Sequence, residues 1–242
     1  MNKTLSIFLI FIGFIAFGQS AKIDTLNLKA SERFKELQSD KMNFPIINSG
    51  KTEIDSLINF DLKNKFTQNE YPNESIDSTL LKWAGDQIIF LDFNVSYNRN
   101  GILSLSVSAE GCGAYCTYWT DYYNYSLKTG QALTLSDIVD TSGAFKILIF
   151  EQKDLQFEKQ KTELKKMMLD KESGLDENTY EVALEYYEKC DNSFNLENFV
   201  IKCDSLEIIC DCYLPHVMKN LTPIIELKYK LTDITEYLKI KN

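Results

Sequence analysis

The chain has 242 residues, of which 44% are hydrophobic and 25% charged, and only 10 glycines and 4 prolines; these values exclude collagen-like and low-complexity chains. Acidic residues (35) outnumber basic ones (26), giving a formal net charge of −9, which argues against general nucleic-acid binding because that function needs a concentrated positive surface. A single histidine excludes HExxH zinc sites and centres built from several histidines.

The first 18 residues have the pattern of a secretory signal peptide. Lys3 precedes an apolar run at residues 5–17, and Ala16 and Gly18 are the small residues expected before a cut at Gln19. The run is shorter than the ~20 residues that a helix needs to cross a bilayer. We therefore expect cleavage, export to the periplasm or the medium, and no membrane span in the mature protein.

Helix and strand patterns follow in the N-terminal part. Residues 19–41 form an extension without a clear pattern. Residues 42–48 predict an edge strand containing a proline. Apolar side chains recur at helical spacing over 52–66, with Thr52 as the expected N-cap. A second, short helix is predicted over 76–84.

Three antiparallel strands are predicted in the middle of the chain. Residues 87–97 and 102–109 flank a hairpin turn at 98–101. The second strand alternates apolar residues with serines, which is typical of a half-buried strand. Residues 117–127 predict the third strand, and Ser136 is the expected N-cap of a short helical turn after it.

The C-terminal half begins with two predicted helices and ends with strands. A long helix is expected at 143–171, and Asp176 is the expected cap of another that ends near residue 188. Three strands and a closing helix are predicted at 194–203, 206–213, 224–230 and 232–238. The order of elements indicates an α+β fold, mainly antiparallel sheet with helices packed on it. Residues 42–242 then form a single domain, or two coupled lobes at 42–140 and 141–242.

All six cysteines lie in the predicted mature chain, and an even number in an exported protein favours disulfides. The candidates are Cys112, Cys116, Cys190, Cys203, Cys210 and Cys212. Cys112 and Cys116 are the tightest local pair, and Cys210 and Cys212 are too far apart on a strand to bond to each other. A bridge between the 112–116 loop and the 203–212 hairpin is a further expectation. Free buried thiols and a four-thiolate metal site at 112, 116, 210 and 212 remain alternatives, but we predict no metal.

Catalytic motifs are scarce. Any Ser-His-Asp or Cys-His mechanism must use His216, which we interpret as an ordinary loop histidine. The sequence has no G-x-S-x-G elbow, P-loop or dinucleotide-binding fingerprint, so we expect no cofactor. Four carboxylates near predicted strand ends are candidates for a hydrolytic pair, and the sequence does not select among them: Glu110, Asp121, Asp204 and Asp211.

The window from residue 115 to 125 is the most unusual, because more than half of its residues are aromatic. Neither face of a strand here would be purely apolar. Tyrosine and tryptophan suit surfaces that stack on sugars or anchor a protein partner, and they also fill cores. Both interpretations stay open. The predicted binding residues are Glu110, Tyr115, Tyr118, Trp119, Asp121, Tyr123 and Tyr125.

These segments carry a family resemblance. Phe44-Pro45-Ile46-Ile47 and the helix at 54–59 resemble the opening of the PdaC-type domain of unknown function. Residues 97–107 and 123–138, which contain the turn Lys128-Thr129-Gly130-Gln131, resemble the adjoining RsiV-type domain. The tail at 199–238 is similar to the same domain, so the resemblance covers nearly all of the predicted mature chain.

The resemblance implies an extracytoplasmic bacterial domain without catalytic activity. The RsiV domain binds lysozyme, and the PdaC domain accompanies a separate peptidoglycan deacetylase domain. Where many relatives have a Gly-rich loop with histidine, this chain has Gly111-Cys112-Gly113-Ala114-Tyr115-Cys116. We therefore expect an exported envelope binding protein whose partner is a peptidoglycan fragment or a secreted protein such as lysozyme. A carboxylate-dependent cell-wall hydrolase and a purely structural secreted domain are the alternatives.

Overall fold

A computed structural model describes residues 19–28, 41–85 and 87–240, which form helices and three antiparallel sheets. The predicted α+β class is therefore confirmed. The predicted signal peptide at 1–18 lies outside the described residues, as does part of the predicted extension, at 29–40. Among the described ranges, no helix combines the length and the apolar character that crossing a bilayer requires.

The first sheet pairs two short strands, and two helices follow it. Strand β1 (Lys22–Asn27) lies in the extension that has no clear sequence pattern, and it pairs antiparallel with β2 (Asn43–Asn48). Helices α1 (Thr52–Phe66) and α2 (Ile76–Ala84) have the predicted bounds. β1 was missed because its polar residues hide any alternation; pairing with β2 supplies its hydrogen bonds.

The second sheet is a three-stranded meander. Its strands are β3 (Ile88–Arg99), β4 (Ile102–Cys112) and β5 (Cys116–Ser126), in that order. The turn between β3 and β4 has Asn100 at φ 56° and Gly101 at φ 77°. Two consecutive positive φ angles are the requirement of a type I′ hairpin turn, which Asn-Gly satisfies.

One face of this sheet packs on α1. Along β4 the alternate residues Leu103, Leu105, Val107 and Ala109 are fully buried, together with Leu62 of α1. Each fully buried leucine contributes about 1.5–3 kcal/mol to the hydrophobic stabilisation. The alternation read from the sequence is confirmed, because the serines between these residues face the other side.

The remaining elements form the C-terminal part and its three-stranded sheet, in the order β6-β7-β8. They are α3 (Leu135–Ile138), α4 (Ala144–Leu169), α5 (Glu177–Ser193), β6 (Phe199–Ile201), β7 (Ser205–Ile209), the 3-10 segment His216–Leu221, β8 (Glu226–Lys230) and the 3-10 turn Thr235–Tyr237. The last predicted helix is thus only a single turn. Its Thr235 hydroxyl bonds to the carbonyl of Leu231, a local bond that competes with continued helix.

Two predicted helix caps are wrong. Thr52 is the first helical residue of α1, and Lys51 occupies its N-cap without a side-chain hydrogen bond. Thr134, rather than Ser136, caps α3, because Asp137 accepts a hydrogen bond of 2.8 Å from the Thr134 backbone and completes a capping box.

Side-chain hydrogen bonds join the second sheet to the third. The Ser104 hydroxyl accepts a 3.1 Å bond from the backbone N–H of Ile201. The Asn124 amide donates a 2.8 Å bond to the carbonyl of Phe199. All four residues are buried, and such polar groups are stable in a core only when they are paired. The polar face of β4 and β5 therefore serves as a contact surface for β6.

The structure pairs the cysteines locally. Cys112 bonds to Cys116, and Cys190 of α5 bonds to Cys212, with Cα atoms 5.1 Å apart in the second pair. Cys203 and Cys210 are free thiols. The expected bridge between the 112–116 loop and the 203–212 hairpin is therefore wrong, because Cys112 and Cys116 bond to each other and Cys212 bonds to Cys190 of α5. The four-thiolate alternative is also wrong, since three of its four sulfurs are in disulfides.

Candidate functional site

The aromatic strand β5 is divided between surface and core. Tyr115, at the hairpin tip before the strand, is 70% exposed and Tyr118 is 49% exposed, whereas Tyr123 and Tyr125 are 7% and 0% exposed. The buried half lies opposite the leucines of β4 that face α1. The sequence prediction that Tyr125 binds a ligand is therefore corrected, because its ring is fully buried in the core. Tyr123 is mostly buried but lines a hollow beside Trp119 and Asp121.

Tyr125 anchors this strand to α1. Its hydroxyl donates a 2.9 Å hydrogen bond to the carboxylate of Asp61. Burial, together with the charge of Asp61, raises the pKa of Tyr125 far above its ordinary value. The phenol therefore stays a neutral donor, and its hydrogen bond to Asp61 fixes the C-terminal end of β5 on α1.

Trp119 and Trp83 form the centre of the accessible half. Their rings meet edge to face, with centroids 6.3 Å apart and planes at 80°. The Trp119 ring lies against Gly111, where an added Cβ would be 3.4 Å from a ring carbon. Trp83 packs in turn on Phe66 of α1 at 4.8 Å. Both indoles are half-buried, so each is held by the core on one side and open on the other.

Two adjoining hollows meet at this pair, and we call them together the tryptophan cleft. Their volumes are about 730 and 400 Å³, and Gln68, Trp83 and Trp119 line both. The larger hollow reaches Tyr115 at the hairpin tip, and the smaller one reaches Asp121. Cavities of roughly 300–1,000 Å³ are typical of small-molecule sites.

Asp121 lies at the inner end of the cleft beside a second carboxylate. Burial and the charge of Asp211 raise the pKa of Asp121, while a hydrogen bond from the Trp119 side chain lowers it. Burial also raises the pKa of Asp211, and the amide of Asn198, which donates a hydrogen bond to it, acts in the opposite direction. Of the four candidate carboxylates, the structure brings together Asp121 and Asp211.

Glu110 lies on the other face of the second sheet. It stands between Phe90 and Tyr118 in one cross-strand row, and those two rings have centroids 5.9 Å apart. In the next row the hydroxyls of Ser108 and Thr120 are hydrogen-bonded at 2.8 Å. The predicted site residues are therefore split: Trp119 and Asp121 line the cleft, while Glu110 and Tyr118 lie on the opposite face.

The hairpin tip contacts the only histidine. The Tyr115 ring stacks on His216, with centroids 5.2 Å apart and planes at 19°. His216 begins a 3-10 segment rather than lying in an irregular loop. A further hollow of about 310 Å³ lies here, lined by Tyr118, Tyr213 and His216. Within the described residues, no group of three or more His, Cys, Asp or Glu side chains could hold a metal ion.

Sequence reasoning missed several of the residues that line the cleft. In the sequence, Trp83 lies in the predicted helix 76–84 and is expected only to pack, and Gln68 and Asn198 lie in loops without any recognisable motif. The one usable signal is composition, because Trp83 and Trp119 are the two tryptophans of the chain. Their meeting depends on how α2 packs beside β5, which no local pattern encodes.

Two solved structures of the DUF3298 family match most of the chain. A member from Bacteroides fragilis is 17% identical, with a TM-score of 0.54 over 91% of this chain and 95% of its own. A DUF3298 family protein from Pseudomonas aeruginosa PAO1 is 13% identical, with a TM-score of 0.44 over 90% of this chain and 93% of its own. No protein-family model and no curated protein matches the sequence. The similarity in fold rests on the first structure; the PdaC/RsiV resemblance is consistent with it.

Proposed function

We propose that this chain is an exported, non-catalytic binding protein of the bacterial envelope and that its ligand is a cell-wall glycan. The observation that carries the proposal is the aromatic lining of the tryptophan cleft, where half-buried Trp83 and Trp119 lie near exposed Tyr115. Tryptophan and tyrosine combine a large apolar face with a polar edge, which suits sugar rings.

Export is supported by two observations of different kinds. The first 18 residues have a signal-peptide pattern. Two disulfides are compatible with an oxidising compartment. The choice of ligand rests on the geometry of the cleft.

A glycan is favoured over a protein partner by the shape of the aromatic region. Trp83 and Trp119 line a concave cleft and are fixed by packing on Phe66 and Gly111. A protein partner such as lysozyme would instead use a flatter surface with a buried anchor at its centre.

Calorimetry with solubilised peptidoglycan fragments and with lysozyme tests the proposal. We expect binding to the fragments that weakens at least tenfold in Trp119→Ala, because the ring forms the cleft wall. Leu155→Ala is the matched control, since Leu155 is a 73% exposed apolar side chain on α4. Binding to lysozyme alone would replace the glycan with a protein partner, and no binding to either would overturn the proposal.

A second candidate function, hydrolysis of the cell wall, is favoured by one observation. Asp121 and Asp211 each have a raised pKa and interact electrostatically beside the cleft, and a proton-donating carboxyl needs such a shift. Incubation with peptidoglycan, followed by measurement of released reducing ends, separates the two functions. Turnover that is lost in Asp121→Asn would favour the hydrolase, while binding without turnover would favour the binding protein.

A further inference from the structure

We infer that the tryptophan cleft is a subsite for a neutral oligosaccharide of N-acetylated hexosamines, whose sugar face packs on Trp119 and Trp83 and whose amide and hydroxyl groups meet Gln68 and Gln87. This inference rests on the proposed function and specifies the ligand class and the residues that select it. Gln68, Gln87 and Trp83 were not among the residues that the sequence identified.

The two tryptophan rings of the cleft are held in place by their neighbours. The Trp119 ring is seated over Gly111, and the Trp83 ring closes on its edge at 6.3 Å. A chain of ring contacts runs from Trp83 through Phe66 to Phe44, at 4.8 and 5.5 Å, into the core. The rings therefore need no rearrangement to receive a sugar, and preorganised contacts lower the entropy cost of binding.

The loop that carries Gln68 has an unusual backbone conformation. Gln68, Asn69 and Tyr71 have φ angles of 52°, 62° and 52°, a left-handed conformation that such residues rarely adopt. Strained backbone of this kind persists only where the surroundings enforce it, and it concentrates at ligand sites. Here it turns the Gln68 amide toward the junction of the two hollows.

A buried lysine enforces that loop. Lys63 is 1% exposed, and its ammonium donates hydrogen bonds to the carbonyls of Pro72 at 3.1 Å and Glu74 at 3.0 Å. The buried Thr79 hydroxyl adds a 3.2 Å bond to the carbonyl of Tyr71. These bonds hold the loop through its backbone and do not use the Gln68 side chain, which leaves that side chain available for a ligand.

Charge selects a neutral ligand over an anionic one. The two lysines that line the cleft already have carboxylate partners: Lys65 pairs with Asp61 at 2.9 Å, and Lys82 pairs with Glu74. Glu70 and Asp121 also line the cleft and add negative charge. We therefore expect uncharged N-acetylhexosamine units to bind more tightly than the units of peptidoglycan that carry lactyl or peptide carboxylates.

Amide side chains select the acetamido group. Gln68 and Gln87 each offer two N–H donors and one carbonyl acceptor, and Thr117 adds a hydroxyl at the same wall. An acetamido group presents one N–H and one carbonyl, so a glutamine amide can pair with both. A sugar with a hydroxyl in that place would leave part of this capacity unpaired, which lowers its affinity.

Tryptophan fluorescence provides a direct test, because both tryptophans of the chain lie in this cleft. The full chain is titrated with chitotriose, a trimer of N-acetylglucosamine, and with cellotriose, its analogue without acetamido groups. We expect chitotriose to change the emission, and cellotriose to bind about tenfold more weakly. Gln68→Ala should weaken chitotriose binding about fivefold. The matched control is Asn69→Ala, which changes the next residue of the same strained loop outside the cleft lining.

The outcomes separate the inference from the proposed function. Binding to peptidoglycan fragments without a change in fluorescence on adding chitotriose would overturn the subsite and leave the proposed function standing. Equal binding of chitotriose and cellotriose would overturn the acetamido selection, as would an unchanged affinity in Gln68→Ala. Failure to bind peptidoglycan fragments as well as chitotriose would overturn both proposals.

Discussion

The ring of Tyr115 lies almost parallel to the imidazole of His216, 5.2 Å away, and connects the tip of the β4–β5 hairpin to the segment that follows β7. The tip itself is closed by the Cys112–Cys116 disulfide. The disulfide and the stacked Tyr115–His216 pair together hold the exposed half of the aromatic strand.

Replacing either ring of the pair should loosen the hairpin tip. We expect a coupling energy of about 0.5–1.5 kcal/mol between Tyr115→Ala and His216→Ala in a double-mutant cycle, measured by urea unfolding. Tyr118→Ala serves as control, because its ring contacts Phe90 instead. Additive effects of the first two substitutions, within about 0.5 kcal/mol, would show that the stack contributes nothing.

Removing the buried ammonium of Lys63 should destabilise the chain. Lys63→Met keeps the length of the side chain but leaves the carbonyls of Pro72 and Glu74 without their donor. We expect the free energy of unfolding to fall by about 2–3 kcal/mol. Lys65→Met, two residues along α1, removes only a partly exposed ion pair and should change stability by less than ~1 kcal/mol. Similar losses of stability in the two variants would contradict the role of Lys63 in holding the loop.

The stability of the chain should depend on pH through Asp121, with a sign opposite to that of a typical surface carboxylate. Burial and Asp211 raise its pKa, so the folded chain holds a proton that the unfolded chain has already released above pH ~4. Stability therefore falls as the pH rises through this window. Asp121→Asn should raise the free energy of unfolding at pH 7, and its advantage should shrink as the pH falls toward ~4.

Asp92 provides the matched comparison for that experiment. Burial acts to raise its pKa, but hydrogen bonds from Lys41 and Asn43 more than offset burial, and the pKa is lowered. Its ionised form therefore contributes stability above the unfolded pKa, and this contribution is lost as the pH falls. Asp92→Asn should lower stability at pH 7. If the two variants changed stability in the same direction at pH 7, the assigned pKa shift of Asp121 would be wrong.

The cysteine pairing can be checked chemically. Mass spectrometry of the unreduced, alkylated chain should find the Cys112–Cys116 and Cys190–Cys212 bonds, with Cys203 alkylated. Cys190→Ser should cost about 3 kcal/mol of stability, because the bond closes a loop with a sequence separation of 22. Cys203→Ser should change stability by less than ~0.5 kcal/mol. A peptide linking 112 or 116 to the 203–212 hairpin would contradict the structure.

Much of the secondary structure is predictable because it depends on local periodicity. The spacing of apolar residues places α1 and α2 at their observed bounds, and the Leu–Ser alternation identifies the buried face of β4. β1 escapes detection because it depends on pairing with β2, a long-range contact. The predicted closing helix at 232–238 forms only a 3-10 turn, for the opposite reason. Its apolar spacing predicts a helix, but local hydrogen bonds from the Thr235 hydroxyl compete with that helix.

The sequence by itself determined the α+β class, the export pattern and the concentration of aromatic residues in β5, because each of these depends on composition or on spacing along a single segment. Only the tertiary structure decided which of those rings are accessible. Tyr125 is buried because its neighbour on β4, Leu103, faces α1, whereas Trp119 lies opposite Ala109 and meets Trp83 of α2. Both rings occupy the same face of one strand, so period-two alternation cannot separate them; the helices that pack on that face do.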